Sequence, residues 1–370
     1  MKRIIINGAN GYVASNFINE LLKQDYEVIA LVRGESKFSS EQRMYASLMD
    51  ANNGEKIIRN KLKVYNYSLL DDDFLLSSDQ LESIFSKKSD YFHFAASLKY
   101  SKKTKEEIFA TNIDGVKNSM KVFQKYAVNN SRFFYISTAY SCGKMDSVFE
   151  EKFYKNEDIS FFRNYYEQSK RYAENIIKDH IDNYGLKAHI IRPSQVVGNK
   201  ITGVTKTDFG IFDFTKRICN LSNRYPHEFL RIKVNPEATQ NLIPIDTIVH
   251  YLLRTVKIEE LPVIMNFVAK NLIKNRDIIN CICSFLPINI SSKRQLDKNS
   301  MTPLERLIDI GMSFTGDYSD LNILFDTKNL DKIINEGDNE ITTNSLQMMI
   351  EYFISNHIKE KKMLKIKCAI

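Results

Sequence analysis

Short apolar runs alternating with longer helical or polar stretches constrain this chain more than any other feature. Arg3–Asn7, Glu27–Val32, Lys63–Asn66, Tyr91–Ala95, Phe133–Ser137 and Leu186–Arg192 each read as a strand. Tyr12–Lys23, directly after the first of them, carries helical periodicity. Strand–helix alternation of this kind implies a parallel sheet covered by helices on both faces. The expected fold is α/β, a doubly wound parallel sheet of Rossmann type, with its ligand at the carboxyl ends of the strands. Beyond Pro193 the pattern loosens, for all seven prolines lie from there onward while ten of the thirteen glycines precede residue 211. Phe209–Leu221, Asp246–Thr255, Asn275–Phe285, Leu330–Asn335 and Ser345–His357 still read as helices, and Leu230–Val234 and Val263–Val268 as strands.

Composition removes several classes. With 43% hydrophobic and 11% aromatic residues over 370 positions, the chain is neither disordered nor collagen-like. No run of about 18 apolar residues suggests a membrane span. Met1-Lys2-Arg3 leads into Ile4-Ile5-Ile6, but this apolar stretch stops at Asn7, too short for a signal-peptide core. Five cysteines (Cys142, Cys219, Cys281, Cys283, Cys368) show no zinc-ligand spacing, so no metal site and a reduced, cytoplasmic setting are expected. Lys367-Cys368-Ala369-Ile370 places its cysteine third from the end, where prenylation needs it fourth. Asp71-Asp72-Asp73 reads as a loop and helix start rather than a cation site. The net charge of +7 does not argue for nucleic acid, since residues 357–370 alone hold five lysines and one glutamate. That basic tail would offer at most a weak attraction to an acidic carrier protein.

Chemistry enters with Gly8-Ala9-Asn10-Gly11-Tyr12-Val13-Ala14, between the first strand and the first helix. Glycines here let backbone N–H groups approach a pyrophosphate at the positive end of the helix. Gly8, Asn10, Gly11, Tyr12 and Val13 are therefore expected to bind a dinucleotide. Arg33 ends the second strand, where a carboxylate would grip an NAD ribose diol. A guanidinium suits a 2′-phosphate, which favours NADPH, with NADH as the alternative. Tyr166 and Lys170, four residues apart in a helical stretch, share a face. An ammonium beside the phenol would lower its pKa and prepare it for proton exchange with a carbonyl. Thr138, with Ser137 as the fallback, offers a hydroxyl to the same oxygen from the end of the fifth apolar run.

These motifs, with His93-Phe94-Ala95-Ala96, Thr111-Asn112-Ile113-Asp114-Gly115, Arg192-Pro193-Ser194 and Asn241-Leu242-Ile243-Pro244-Ile245-Asp246, appear in the order found in extended short-chain dehydrogenases/reductases. The chain resembles that superfamily over about residues 1–270. The resemblance implies Tyr166 as catalytic acid and Lys170 as the residue that binds the nicotinamide ribose and tunes Tyr166. It further implies that Thr138 orients the carbonyl, that Asn112 supports the active-site helix, and that Pro193-Ser194 borders the nicotinamide. Ala95 and Ala96, with His93 beside them, would line the cofactor pocket. Within the superfamily, the segment through Ser40–Met44, the Ser137-Thr138-Ala139-Tyr140 run and Asn164–Glu174 look like the thioester reductase and fatty acyl-CoA reductase branch. Three departures stand out: Asn7-Gly8 for Thr-Gly, Ala14 for a third glycine, and Tyr65-Asn66-Tyr67-Ser68 for Gly-Asp.

The implied organisation is a nucleotide domain over 1–192, mainly a substrate lobe over 193–356 with segments returning to the first domain, and the tail 357–370. The implied activity is NADPH-dependent reduction of an acyl thioester carried by coenzyme A or a separate carrier protein, by a monomer or homodimer. A nucleotide-sugar epimerase or dehydratase, a ketone or hydroxysteroid dehydrogenase, and a non-catalytic dinucleotide sensor or scaffold are the alternatives.

Overall fold

Seven parallel strands form the central sheet: β1 (Lys2–Asn7), β2 (Tyr26–Val32), β3 (Leu62–Asn66), β4 (Ser89–His93), β5 (Arg132–Ile136), β6 (Ala188–Pro193) and β7 (Ile264–Phe267), in the order β7-β6-β5-β4-β1-β2-β3. The structure, a computed structural model, describes residues 1–55, 57–311, 317–334 and 341–367, with side chains to residue 358 in the last stretch. Connecting helices are α1 (Tyr12–Leu22), α2 (Ser40–Ala51), α3 (Ser78–Phe85), α4 (Lys105–Phe109), α5 (Gly115–Tyr126), α6 (Tyr165–Tyr184) and, before β7, α7 (Ile245–Lys257). The α/β doubly wound architecture read from the alternation is the one observed. Strand order reverses between β1 and β4, which opens a crevice at their carboxyl ends.

Double burial explains the unbroken apolar runs. On one face Phe92 stacks on Phe134 at 4.4 Å and Phe17 of α1 meets Phe92 edge-on at 5.1 Å. On the other, Tyr91 stacks on Phe133 at 5.3 Å with Phe123 of α5 against both. A strand buried on both sides leaves no polar alternation to read.

The chain divides into two compact units. The first comprises Met1–Ser194, Ile248–Val268 and a stretch beginning at Phe325; the second includes Gln195–Thr247 and Ala269–Leu324. In the second unit, helices Ile211–Arg224, Asn275–Ser284 and Thr343–Lys367 and a parallel strand pair, Phe229–Lys233 with Asn289–Lys293, surround Phe212, Ile218, Leu230, Ile279 and Met349. No described helix is long and apolar enough to cross a membrane.

Some elements differ from expectation. Strand β4 stops at His93 rather than Ala95, because the Asn7 carboxamide captures the next two backbone N–H groups, those of Phe94 and Ala95. Leu330–Asn335 is a helix only as the 3₁₀ turn Leu330–Lys332, and Asn335 lies outside the described residues. Here the Glu151 carboxylate accepts from the N–H of both Asn329 and Leu330, which ties the turn to β7 through the Asn266 N–H. Of the basic tail 357–370, the lysine side chains and Cys368 lie outside the described residues.

At the amino edge of the sheet sits a buried ion pair. Asp90 and Arg132 are register partners on β4 and β5, joined at 2.8 and 2.6 Å, with Lys2 adding a contact of 2.8 Å. Arg132 also donates to the carbonyls of Thr255, Ile258 and Glu259, fastening the end of α7. Removing one partner strands the other's charge in a dry site, so Asp90→Ala should cost about 3–5 kcal/mol in urea unfolding. A loss under about 1 kcal/mol, the size of an exposed pair, would show that the pair is solvated.

Candidate active site

The turn between β1 and α1 is built around Gly8. Its φ of +59° lies in the left-handed region, and a Cβ there would stand 2.7 Å from the Ala95 nitrogen. Helix α1 starts at Gly11 with no side-chain cap and no acidic residue in its first turn. Its positive end is thus left for a ligand's phosphates, with Asn10, Tyr12 and Val13 flanking Gly11. Asn7, which sequence reasoning noted only as a departure, is the clamp behind the turn. Its Oδ1 accepts from Phe94 and Ala95, and its Nδ2 contacts Tyr91 Oη at 3.0 Å and His93 Nδ1 at 2.9 Å. Ala95 and Ala96 are thereby held beside the glycines. Burial lowers the His93 pKa to about 3, keeping the ring neutral within this network.

Arg33 is exposed at the end of β2, with no hydrogen-bond or ion-pair partner for its side chain among the described residues. The neighbouring Gly34 N–H donates to Asn66 Oδ1 at 2.8 Å, and Arg43 of α2 donates to the Arg33 carbonyl while pairing with Glu35. The Gly8 N–H donates to the Tyr67 hydroxyl at 3.3 Å. Asn66 and Tyr67, read from sequence only as a missing Gly-Asp, therefore brace both cofactor-side loops. Nothing in the order Tyr65-Asn66-Tyr67-Ser68 signals this, since the contacts span 32 and 59 positions of sequence.

At the carboxyl end of β5 the Thr138 hydroxyl lies close enough to Tyr166 to oppose the rise in the phenol's pKa. Thr138 Oγ1 also lies 3.5 Å from the Pro193 carbonyl at the end of β6. Ser137 points elsewhere, donating to Glu174 at 2.5 Å, while Thr138 Oγ1 accepts from the Tyr140 N–H at 3.3 Å. Lys170 is buried, donates to the Ile136 carbonyl at 2.8 Å, and lies 4.8 and 5.9 Å from the ring centroids of Tyr135 and Tyr166. Burial lowers its pKa to about 7 against the pull of Glu174. One expectation is corrected here. Tyr166 is raised above its ordinary value by burial, with only the Thr138 hydroxyl opposing, so the phenol is firmly protonated in the free protein. The Lys170 ammonium is turned to a backbone carbonyl, not to the phenol oxygen.

Asn112 occupies a π-helical turn, Ala110–Asp114, a feature that often marks functional positions. Its Oδ1 accepts from the Ser97 N–H at 2.7 Å, while Nδ2 donates to the Ser97 carbonyl at 3.1 Å and to Ser169 Oγ at 2.9 Å. Asn112 thus joins the loop after Ala96 to the α6 turn between Tyr166 and Lys170. Ser194, after Pro193, has a buried Oγ with no partner among the described residues. The strained glycine, the uncapped helix and this orphaned hydroxyl fit a dinucleotide. No group of three or more His, Cys, Asp or Glu suited to a metal ion occurs among the described residues.

The sequence model of the male sterility protein family, an NAD-binding family, matches residues 6–252. The chain belongs to this family. The nonribosomal peptide synthetase-like enzyme fsqF of Aspergillus fumigatus is 24% identical over 216 residues, which span 56% of this chain and 14% of that protein. The terminal R domain of a myxalamid PKS-NRPS pathway superposes with a TM-score of 0.77 at 16% identity, covering 96% of this chain and 91% of that one. An archaeal thiolation-reductase di-domain gives 0.71 at 17% identity over 96% and 75%. The fold also extends to UDP-glucuronic acid 4-epimerase from Bacillus cereus, at 0.65 and 13% identity over 95% and 96%. The likeness to these solved structures, all under 25% identical, is one of fold.

For this family member the Gly8 turn yields a direct test. Gly8→Ala forces a Cβ into the Ala95 backbone at a positive φ and should cost about 1–3 kcal/mol in denaturant unfolding. Gly11, with φ of −70° and its nearest added contact at 3.2 Å, should tolerate alanine better. Equal stability losses for the two variants would contradict the strained-turn assignment.

Proposed function

We propose that the protein is an NADPH-dependent reductase of an acyl thioester, yielding an aldehyde or alcohol. The observation that carries this reading is the Thr138–Tyr166 hydroxyl pair at the carboxyl end of β5, with Lys170 fixed one helical turn along. When bound, the reduced nicotinamide supplies a hydride to the thioester carbonyl carbon. Thr138 and Tyr166 donate to the oxygen on which charge develops, and Tyr166 holds the proton it receives. Collapse of the resulting hemithioacetal breaks the C–S bond and releases thiol and aldehyde. Lys170 binds the nicotinamide ribose, Asn112 keeps α6 in register, and Pro193 and Ser194 border the nicotinamide. Gly8, Asn10, Gly11, Tyr12, Val13, Ala95 and Ala96 hold the rest of the dinucleotide. The thioester is carried by coenzyme A or by a separate carrier protein, and the names of the fsqF and di-domain relatives favour the carrier.

Arg33 supports NADPH over NADH, because an exposed guanidinium at the end of β2 can engage a 2′-phosphate and gives a ribose diol no acceptor. The same residue weighs against an NAD-retaining sugar epimerase. The intact Tyr166–Lys170 pair weighs against a non-catalytic sensor.

Tyr166→Phe should lower turnover of acyl thioesters by about 10²–10⁴-fold while leaving NADPH affinity nearly intact. Full activity in that variant would overturn the assignment of the proton donor. Arg33→Ala should weaken NADPH about tenfold or more and leave NADH little changed. Equal losses for both cofactors, read by fluorescence titration, would remove the 2′-phosphate role.

A further inference from the structure

One buried carboxylate stands behind the proposed site with no part in the roles assigned above. Glu174 lies one turn beyond Lys170 on α6 and is fully buried. Its Oε1 accepts from Ser137 Oγ at 2.5 Å, Ser141 Oγ at 3.1 Å and Arg192 Nε at 3.0 Å, and its Oε2 from Arg192 Nη2 at 2.7 Å. Ser137 directly precedes Thr138 at the end of β5, and Arg192 directly precedes Pro193 at the end of β6. One side chain therefore joins the three elements that bear Thr138, Pro193-Ser194 and the Tyr166–Lys170 pair. Arg192 is itself locked by the Glu150 and Lys152 carbonyls and lies 4.3 Å over the Phe149 ring.

We propose that Glu174 is a positioning residue for the Tyr166–Lys170 site: its carboxylate fixes α6 to the ends of β5 and β6 and sets a negative charge one helical turn from Lys170. This rests on the functional reading above. The groups facing Glu174 are Arg192 of β6, Tyr135 and Ser137 at the β5 end, Ser141 beyond it, and Arg171 and Lys170 of its own helix. Those facing Lys170 are Glu174, the rings of Tyr135 and Tyr166, the Ile136 carbonyl, and His93 of β4, which is neutral. Burial works against ionisation of Glu174, but Arg192, Arg171 and Ser137 outweigh it and hold the carboxyl below its usual range. Glu174 is the charged group that opposes the burial of Lys170. Arg192 neutralises Glu174 in part, so the ammonium sits near its point of balance, where a lost charge is visible.

The test reads Lys170 directly. The full chain, labelled with ¹³C at lysine Cε and free of cofactor, is titrated by NMR, with Lys170 assigned from a Lys170→Met spectrum. The wild type should titrate near pH 7, and Glu174→Gln should move the midpoint down by about one pH unit or more. Glu174→Asp should restore part of the shift. Because Glu174→Gln leaves Arg192 buried without its carboxylate, Glu174→Leu/Arg192→Met is measured beside it; this apolar replacement removes both charges, avoids the stranded cation and should show a smaller downward shift. An unchanged midpoint in folded Glu174→Gln, or a larger downward shift in the double variant than in Glu174→Gln, would overturn the inference, whatever the enzyme's substrate. In turnover, the fall of kcat on the basic side should move to lower pH with the NMR midpoint. A moved midpoint without a moved pH profile supports the Glu174 inference and instead contradicts the role given to Lys170 in the reaction.

Discussion

Parallel pairing forces all seven strands to end on one edge of the sheet, and everything the site needs follows from that constraint. Asn7 ends β1, His93 ends β4, Ile136 ends β5 and Pro193 ends β6. Each is followed by a segment that must turn away, so backbone donors and short polar side chains gather at the same rim. Reversal of strand order between β1 and β4 separates the turns that follow them and leaves a crevice for a flat, extended ligand. The apolar layers on both faces, Phe92–Phe134 on one and Tyr91–Phe133 on the other, keep these strand ends in register.

Buried charge is placed at both ends of this sheet, with different consequences. At the amino edge, Asp90 and Arg132 neutralise each other across adjacent strands and anchor a helix end, at the opposite edge from the carboxyl rim. At the carboxyl edge, Glu174 and Arg192 do the same between α6 and β6, but a third charge, Lys170, lies within reach. Burial alone would discharge that lysine, as burial already keeps His93 neutral nearby. The difference between a purely structural ion pair and one that acts on chemistry is thus the presence of a further titratable group one helical turn away.

The sequence revealed much of this because its signals are local. Glycines at a positive-φ turn, an apolar run before them and a Tyr–Lys pair at helical spacing all lie within short windows, and the strand–helix alternation fixed the fold class. What stayed hidden depends on contacts between distant positions. Asn7 looked like a departure from Thr-Gly until β4 brought Phe94 and Ala95 to its carboxamide. Arg43 and Tyr67 brace the cofactor loops only after α2 and β3 have packed beside them. Sequence put Thr138 ahead of Ser137 but did not show where either hydroxyl points; in the fold Ser137 donates to Glu174, while Thr138 meets the Tyr140 N–H and the Pro193 carbonyl. The reading of Tyr166 as an acidified phenol failed for a similar reason. Helical spacing put Lys170 on the same face but did not show that its ammonium is claimed by the Ile136 carbonyl.

The central claim is that the carboxyl edge of this sheet transfers hydride to a thioester carbonyl. Both 4-deuterated isomers of NADPH, incubated separately with the protein and an acyl thioester on coenzyme A or on a carrier protein, test it most directly by mass spectrometry of the products. The account predicts deuterium on the former carbonyl carbon from one isomer only, with one thiol released for each aldehyde or alcohol formed. Oxidation of NADPH without label in the acyl product, or interconversion of a nucleotide sugar without net cofactor oxidation, would contradict it.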